Sequence, residues 1–257
     1  MAQYVELGGV RTWYDEHGDG EPLVLMHGGL VDSRFLEPNL PPLAERFHVY
    51  TPDRRGHGHT PDVDGPITYQ LMADDTIAFL DKVIGRPADL VAHSDGSLVA
   101  LLVAMQRPDL VHRLVLISGG FDKSGEAAPD VEFDTDAVVQ FLGGAYGEVS
   151  PDGEAHFPVV VGKIAEMSRN EPHLDPADLT KVTQRSLVMF SDDDLMTLQH
   201  AVAMFDALPN AEFAVVPGTS HFLTQEKPHL VNMLVLDFLT NDPVPVVAPI
   251  RRAPRPA

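Results

Sequence analysis

Residues 89–107 read Asp89-Leu-Val-Ala-His93-Ser94-Asp95-Gly96-Ser-Leu-Val-Ala-Leu-Leu-Val-Ala-Met-Gln-Arg107, a short apolar strand that runs into a serine and out into an apolar helix. At such a turn the serine is held in a strained backbone conformation with its hydroxyl exposed, and the helix that follows aims its first amides at developing negative charge. Ser94 is therefore the candidate nucleophile, in a setting suited to acyl transfer. The pattern Gly-x-Ser-x-Gly needs small residues where strand and helix nearly collide; Ala92 replaces the first glycine and Gly96 keeps the second. Taken alone, these residues also suit an ordinary strand–helix corner whose serine caps the helix.

Three further stations lie at predicted strand ends. Upstream, Leu23-Val-Leu-Met26 leads into His27-Gly28-Gly29, an exposed glycine turn whose amides can complete an oxyanion hole. The donors expected there are the amide of Asp95, next after the nucleophile, and that of Gly29. Downstream, Ser186-Leu-Val-Met-Phe190 reads as a buried strand ending in Ser191-Asp192-Asp193-Asp194, where an acid belongs. Further on, the strand Glu212–Val216 exits through Pro217-Gly-Thr-Ser-His221 before a helix with Val231, Leu234, Val235 and Phe238 at helical spacing. His221 is the candidate base.

With these stations in the order serine, aspartate, histidine, the chain resembles the α/β-hydrolase family over residues 4 to 240. The matching motifs are His27-Gly28-Gly29, Asp53-Arg54-Arg55-Gly56-His57-Gly58, the turn at Ser94, the acidic strand end at Asp194 and Gly218-Thr-Ser-His221. Family practice places the acid three residues after a strand-end glycine, whose position Ser191 takes here. The resemblance thus selects Asp194, with Asp193 as the fallback. It implies a serine hydrolase that needs no cofactor and cleaves a carboxylic ester or lactone through an acyl-enzyme. In that scheme His221 takes the Ser94 proton and a carboxylate fixes the imidazole tautomer, so activity should fall on the acidic side as the base protonates. The branch with an aspartate nucleophile does not fit, because a register centred on Asp95 would put His93 and Ser97 at the small flanking positions.

Resembling proteins also include carbon–carbon bond hydrolases, haloperoxidase-type perhydrolases and cofactor-free oxygenases, and some relatives of the fold sense small molecules as receptors. Slow turnover with tight retention of ligand would mark a receptor. Asp95 itself has two readings: a carboxylate facing the pocket that disfavours anionic substrates, or a complement to the helix dipole.

The 257 residues carry a formal net charge of −20 and are 44% hydrophobic, which suits one enzyme core and disfavours nucleic-acid backbones and anionic membrane surfaces as partners. There is no cysteine, so disulfide and thiolate chemistry are excluded. The first residues lack the basic and apolar segments of a secretory signal, and no apolar run is long enough to span a bilayer; a cytoplasmic location is the expectation. The oligomeric state is not legible.

The predicted fold is a mostly parallel eight-stranded sheet covered on both faces by helices. Strands are expected near 3–7, 10–17, 23–26, 47–51, 88–93, 113–117, 186–190 and 212–216, with helices near 33–46, 69–84, 95–107, 197–208 and 226–240. A hairpin is expected at Gly8-Gly9. Residues 1–118 and 186–240 then form the core domain, 119–185 a small helical cap, and 241–257 a flexible proline-rich tail. Within the cap, Phe157, Val160, Val161, Ile164 and Met167 fall on one helical face, while Val138, Val139, Phe141 and Leu142 suit a second short helix. Such a stripe is more often core than substrate contact, but the resemblance implies an insert that roofs the active site, so that part of the apolar surface lines the acyl or alcohol pocket. The acidic stretch Gly125 to Asp136 reads as a mobile loop. Of the other histidines, His57 and His59 near Asp53 are too weak a pattern for a metal site, the resemblance implies that His27 and His93 are structural, and His200, on a helix, is expected to be peripheral.

Overall fold

A computed structural model describes residues 3–128, 134–244 and 246–248. Eight strands form one sheet: β1 (Gln3–Leu7), β2 (Val10–His17), β3 (Glu21–Met26), β4 (Phe47–Pro52), β5 (Ala88–His93), β6 (Val111–Ile117), β7 (Arg185–Asp193) and β8 (Ala211–Ser220). Their spatial order is β1-β2-β4-β3-β5-β6-β7-β8, antiparallel at β1/β2 and β2/β4 and parallel from β4 onward. Gly8 and Gly9 both have positive φ, as the tight β1–β2 turn requires.

The central strands are apolar without interruption because both faces are covered. Val24 and Met26 of β3, Leu90 and Ala92 of β5, Leu114 and Leu116 of β6, and Val188 and Phe190 of β7 enter one core. The residues between them, Leu23 and Leu25, Val91, Val115 and Ile117, and Leu187 and Met189, enter a second. Helices α2 (Tyr69–Phe79), α3 (Asp95–Gln106) and α7 (Leu198–Ala207) close the first face, and α1 (Leu40–Ala44), α8 (Leu223–Glu226) and α9 (Pro228–Thr240) the second.

Proline chemistry accounts for the differences from the predicted helices. The stretch 33–46 divides into a single 3₁₀ turn, Ser33–Leu36, and α1, because Pro38, Pro41 and Pro42 interrupt the amide ladder. Residues 226–240 likewise divide at Pro228, the first residue of α9. Thr68 caps α2 through its hydroxyl, which accepts from the Leu71 amide, and the helix continues as one π turn to Ile84 before Gly85 stops it at φ 69°.

Between β6 and β7 lie α4 (Thr135–Gly147), α5 (Phe157–Asn170) and α6 (Pro176–Leu179). The stripe Phe157, Val160, Val161, Ile164 and Met167 is buried in the first core rather than left as open pocket wall, since these residues pack into the same apolar cluster as α2 and α3. Phe141 departs from its expected neighbours: Val138, Val139 and Leu142 pack against that core while Phe141 stands 82% exposed. The acidic stretch is ordered at both ends. Glu126 bridges Met196, Asp134 accepts the Ala137 amide as the cap of α4, and Asp136 lies in its first turn. Residues 129–133, the middle of that predicted loop, and most of the predicted tail lie outside the described residues. No helix among the described residues is long and apolar enough to cross a membrane.

Candidate active site

The predicted residues meet at the carboxyl ends of β3, β5, β7 and β8. Ser94 turns the chain from β5 into α3 at φ 55°, ψ −124°, a strained conformation for a residue with a Cβ. Its amide donates to the Ile117 carbonyl at 2.8 Å, so the neighbouring strand β6 braces the turn. Gly96 is required one step on: a Cβ there would lie 2.7 Å from the His27 carbonyl oxygen and 3.0 Å from that of Met26. The second small position of the motif therefore reflects the approach of α3 to β3.

His221 Nε2 lies 2.9 Å from Ser94 Oγ, and its Nδ1 lies 2.8 Å from Asp194 Oδ1. A carboxylate can only accept, so Nδ1 carries a proton and Nε2 is free to accept from the serine hydroxyl. The Asp194 side chain is 1% exposed. Burial alone would raise its pKa, but the hydrogen bond and charge of His221, with the hydroxyls of Ser118 and Ser191, hold it far below the usual carboxylate range. Asp193, the fallback, is exposed at the end of β7 and pairs in register with Ser220.

Several supporting contacts were not foreseen from the sequence. Ser118 Oγ donates to Asp194 Oδ2 at 2.5 Å and Ser191 Oγ at 2.8 Å, while the Leu195 amide donates to Oδ1 at 2.8 Å. The serine in the place of the family glycine thus bonds the acid directly. Asp192 Oδ1 accepts the amides of Gly218 and Thr219, tying the end of β7 to the end of β8 just before His221. His93 Nε2 donates to the His221 carbonyl at 2.8 Å. For Ser118 the signal was available: it is a polar residue directly after the apolar run of β6, one step past the register pair of Ile117 with His93 and so level with Ser94.

Asp95 faces inward. Its Oδ1 accepts from the Tyr69 hydroxyl at 2.6 Å, and a Cβ on Gly29 would lie 2.1 Å from its Oδ2. Gly29 is therefore the residue this close approach allows, and the two predicted oxyanion donors lie against each other. As a first-turn residue of α3, Asp95 has no helical partner for its amide.

The histidines near Asp53 are held by hydrogen bonds. His59 Nδ1 and its amide both donate to Asp53 Oδ2, and the His57 Nδ1 donates to the Arg55 carbonyl. His200 is buried rather than peripheral: its Nε2 accepts the Phe121 amide and its ring stacks on Phe121 at 4.0 Å, because α7 is drawn onto the segment that follows β6.

His27, His57 and His93 are each 2% exposed or less. Burial, with the Arg54 charge behind it, pushes His27 well below its ordinary value and His57 down to about 4; burial and then His221 bring His93 to about 3. All three are neutral in the fold and become charged in the unfolded chain below about pH 6.5. The unfolded state thus binds more protons as pH falls, and stability declines from about pH 6.5 toward 4 by roughly 1 kcal/mol per pH unit for each histidine. Calorimetry should find the thermal midpoint dropping steeply between pH 7 and 5, with a shallower drop for His57→Gln. Midpoints independent of pH over that range would contradict this.

A mostly parallel sheet with a serine, an acid and a histidine at the ends of β5, β7 and β8 defines a hydrolase architecture. The chain belongs to the alpha/beta hydrolase family, whose sequence model matches residues 23–234. It is 30% identical over 141 residues, 54% of each chain, to an (E)-2-((N-methylformamido)methylene)succinate hydrolase of Acinetobacter baylyi. It is 24% identical over 264 residues to a 2-(acetamidomethylene)succinate hydrolase of Mesorhizobium japonicum, covering 93% of this chain and 95% of that one. An enol-lactonase from Burkholderia xenovorans shares the fold at a TM-score of 0.76 and 21% identity, over 93% of this chain and all of that one.

Proposed function

We propose that the protein is a cofactor-independent serine hydrolase that cleaves a carboxylic ester or lactone. The observation that carries this reading is the unbroken relay of 2.9 Å from Ser94 Oγ to His221 Nε2 and 2.8 Å from His221 Nδ1 to Asp194 Oδ1. A serine hydroxyl is a poor nucleophile at neutral pH, and an imidazole already within hydrogen-bond distance lowers the barrier by taking its proton as the bond to carbonyl carbon forms. Ser94 Oγ attacks, and the carbonyl oxygen becomes an oxyanion held by the amides of Gly29 and Asp95. The intermediate collapses, the departing alkoxide takes the proton from His221 Nε2, and the acyl group stays on Ser94. Water then gives its proton to His221 and attacks the acyl carbon; Ser94 Oγ leaves, recovering that proton. The segment 119–185 serves in this reading as a roof that sets which acyl and alcohol groups enter.

The test is labelling of the whole chain by a small fluorophosphonate, read by intact mass and peptide mapping, beside Ser94→Ala and His221→Ala. One adduct per chain at Ser94, absent from both variants, is the expected result. A native chain that stays unlabelled, with a smaller sulfonyl fluoride failing too, would overturn the reading and favour a receptor or an oxygenase.

A further inference from the structure

Arg54 is a buried cation for which the relay has no use. It is 6% exposed, and neither its Nε nor its Nη1 meets a hydrogen-bond partner among the described residues. Among the described residues its guanidinium makes no carboxylate pair, unlike that of the adjacent Arg55, which grips Asp75 through two bonds of 2.7 and 2.9 Å. What Arg54 does reach is a backbone carbonyl: Nη2 donates to the Gly28 oxygen at 2.8 Å.

That carbonyl accepts a second bond. The Arg54 amide donates to His27 Nε2 at 3.1 Å, which fixes the histidine as the tautomer protonated at Nδ1, and Nδ1 donates to the same Gly28 oxygen at 2.7 Å. The Gly28 carbonyl and the Gly29 amide belong to one peptide unit. Two donors on its oxygen, one of them cationic, fix the plane of that unit and draw electron density from its nitrogen, because amide resonance couples the two ends and bonds in a chain polarise one another. An N–H so polarised is a stronger donor at its other end.

We propose that Arg54 is a positioning residue of the oxyanion hole: acting with His27 on the Gly28 carbonyl, it aims and strengthens the Gly29 amide as a donor to the oxyanion. This rests on the reading of Ser94 as nucleophile and of Gly29 as donor. The surroundings suit the role. Gly29 lies against Asp95, whose carboxylate, pinned by Tyr69, would by itself oppose negative charge on a substrate oxygen, and a buried guanidinium close by offsets that field. Burial brings the Arg54 pKa down to about 10 while the charge of Asp95 supports it, so the side chain stays cationic at neutral pH.

The test compares the native chain with Arg54→Met, using p-nitrophenyl acetate turnover and the affinities of an aryl trifluoromethyl ketone and its alcohol. The ketone adds to the nucleophile and forms an oxyanion; the alcohol fills the same space without one. Removal of a whole oxyanion donor typically costs 100- to 1,000-fold in kcat. Loss of its polarisation is expected to cost about 30-fold in kcat and a similar factor in ketone affinity, with KM and alcohol affinity within about threefold. A folded Arg54→Met with kcat within threefold of native, or ketone and alcohol weakened alike, overturns the proposal. Should that variant not fold, Arg54→Gln, which keeps a donor for the carbonyl but no charge, carries the test: about tenfold losses in kcat and ketone affinity support it, and native values of both overturn it. A native chain unlabelled at Ser94 by fluorophosphonate would instead remove the underlying hydrolase reading.

Discussion

Ser94→Ala is expected to lower kcat for p-nitrophenyl acetate about 100,000-fold while leaving the fold unchanged. The side chain loses only its oxygen, and among the described residues Ser94 Oγ bonds only toward His221, so no buried partner there is stranded. Hydrolysis through the variant would need water to find the place of an atom held 2.9 Å from the base, without the entropy already removed from a covalently fixed nucleophile. A residual rate above the uncatalysed one should persist if, as proposed, the amides of Gly29 and Asp95 hold the oxyanion. Retention of more than about 1% of turnover in a preparation free of native enzyme would contradict the prediction, since removal of a nucleophile from such a relay costs far more.

Asp194→Asn is expected to lower kcat about 10,000-fold, a larger effect than the small change in shape suggests. Oδ2 of Asp194 is ringed by donors, the hydroxyls of Ser118 and Ser191 and the Ser191 amide. In asparagine the carbonyl oxygen must take that side, which turns the NH₂ toward His221 Nδ1. The imidazole then answers with a lone pair at Nδ1 and carries its proton at Nε2, where it cannot accept from Ser94. Asp193→Asn, by contrast, should stay within about twofold of native, because Asp193 is exposed and it is Asp194 that bonds the imidazole. Steady-state kinetics on the two variants checks both expectations. Equal losses would mean that charge near the strand end matters and the tautomer does not.

What could be read from the sequence was what repeats along the chain or sits at the end of a repeat. The strand runs and their order were legible because a two-sided parallel sheet leaves continuous apolar segments, and the turns at His27, Ser94, Asp194 and His221 each follow one of them. The choice between Asp193 and Asp194 came from family spacing; the physical reason, that Asp194 reaches inward to Ser118, Ser191 and His221, depends on strands far apart in sequence. The same is true of Tyr69 on Asp95 and Arg54 on Gly28, where partners 26 residues apart meet through the fold. His200 was misjudged because its polarity was read without its partner, the Phe121 amide, which satisfies the ring and so permits burial. The stripe of α5 gave the right helix but not its neighbours, since periodicity reports that a face is apolar and not what covers it.

The chain leaves the sheet after Ile117 and re-enters it at Arg185, yet β6 and β7 lie side by side, with Arg113 opposite Arg185 and Ile117 opposite Met189. The 67 residues between them are therefore an excursion that begins and ends at the same seam. Such a segment can be lengthened, shortened or exchanged without shifting the register of any strand, and the four strand ends that carry Gly29, Ser94, Asp194 and His221 would keep their spacing. The architecture thus separates a stretch of chain whose length is free from a sheet whose spacing is fixed, so the one can be rewritten while the other is inherited intact.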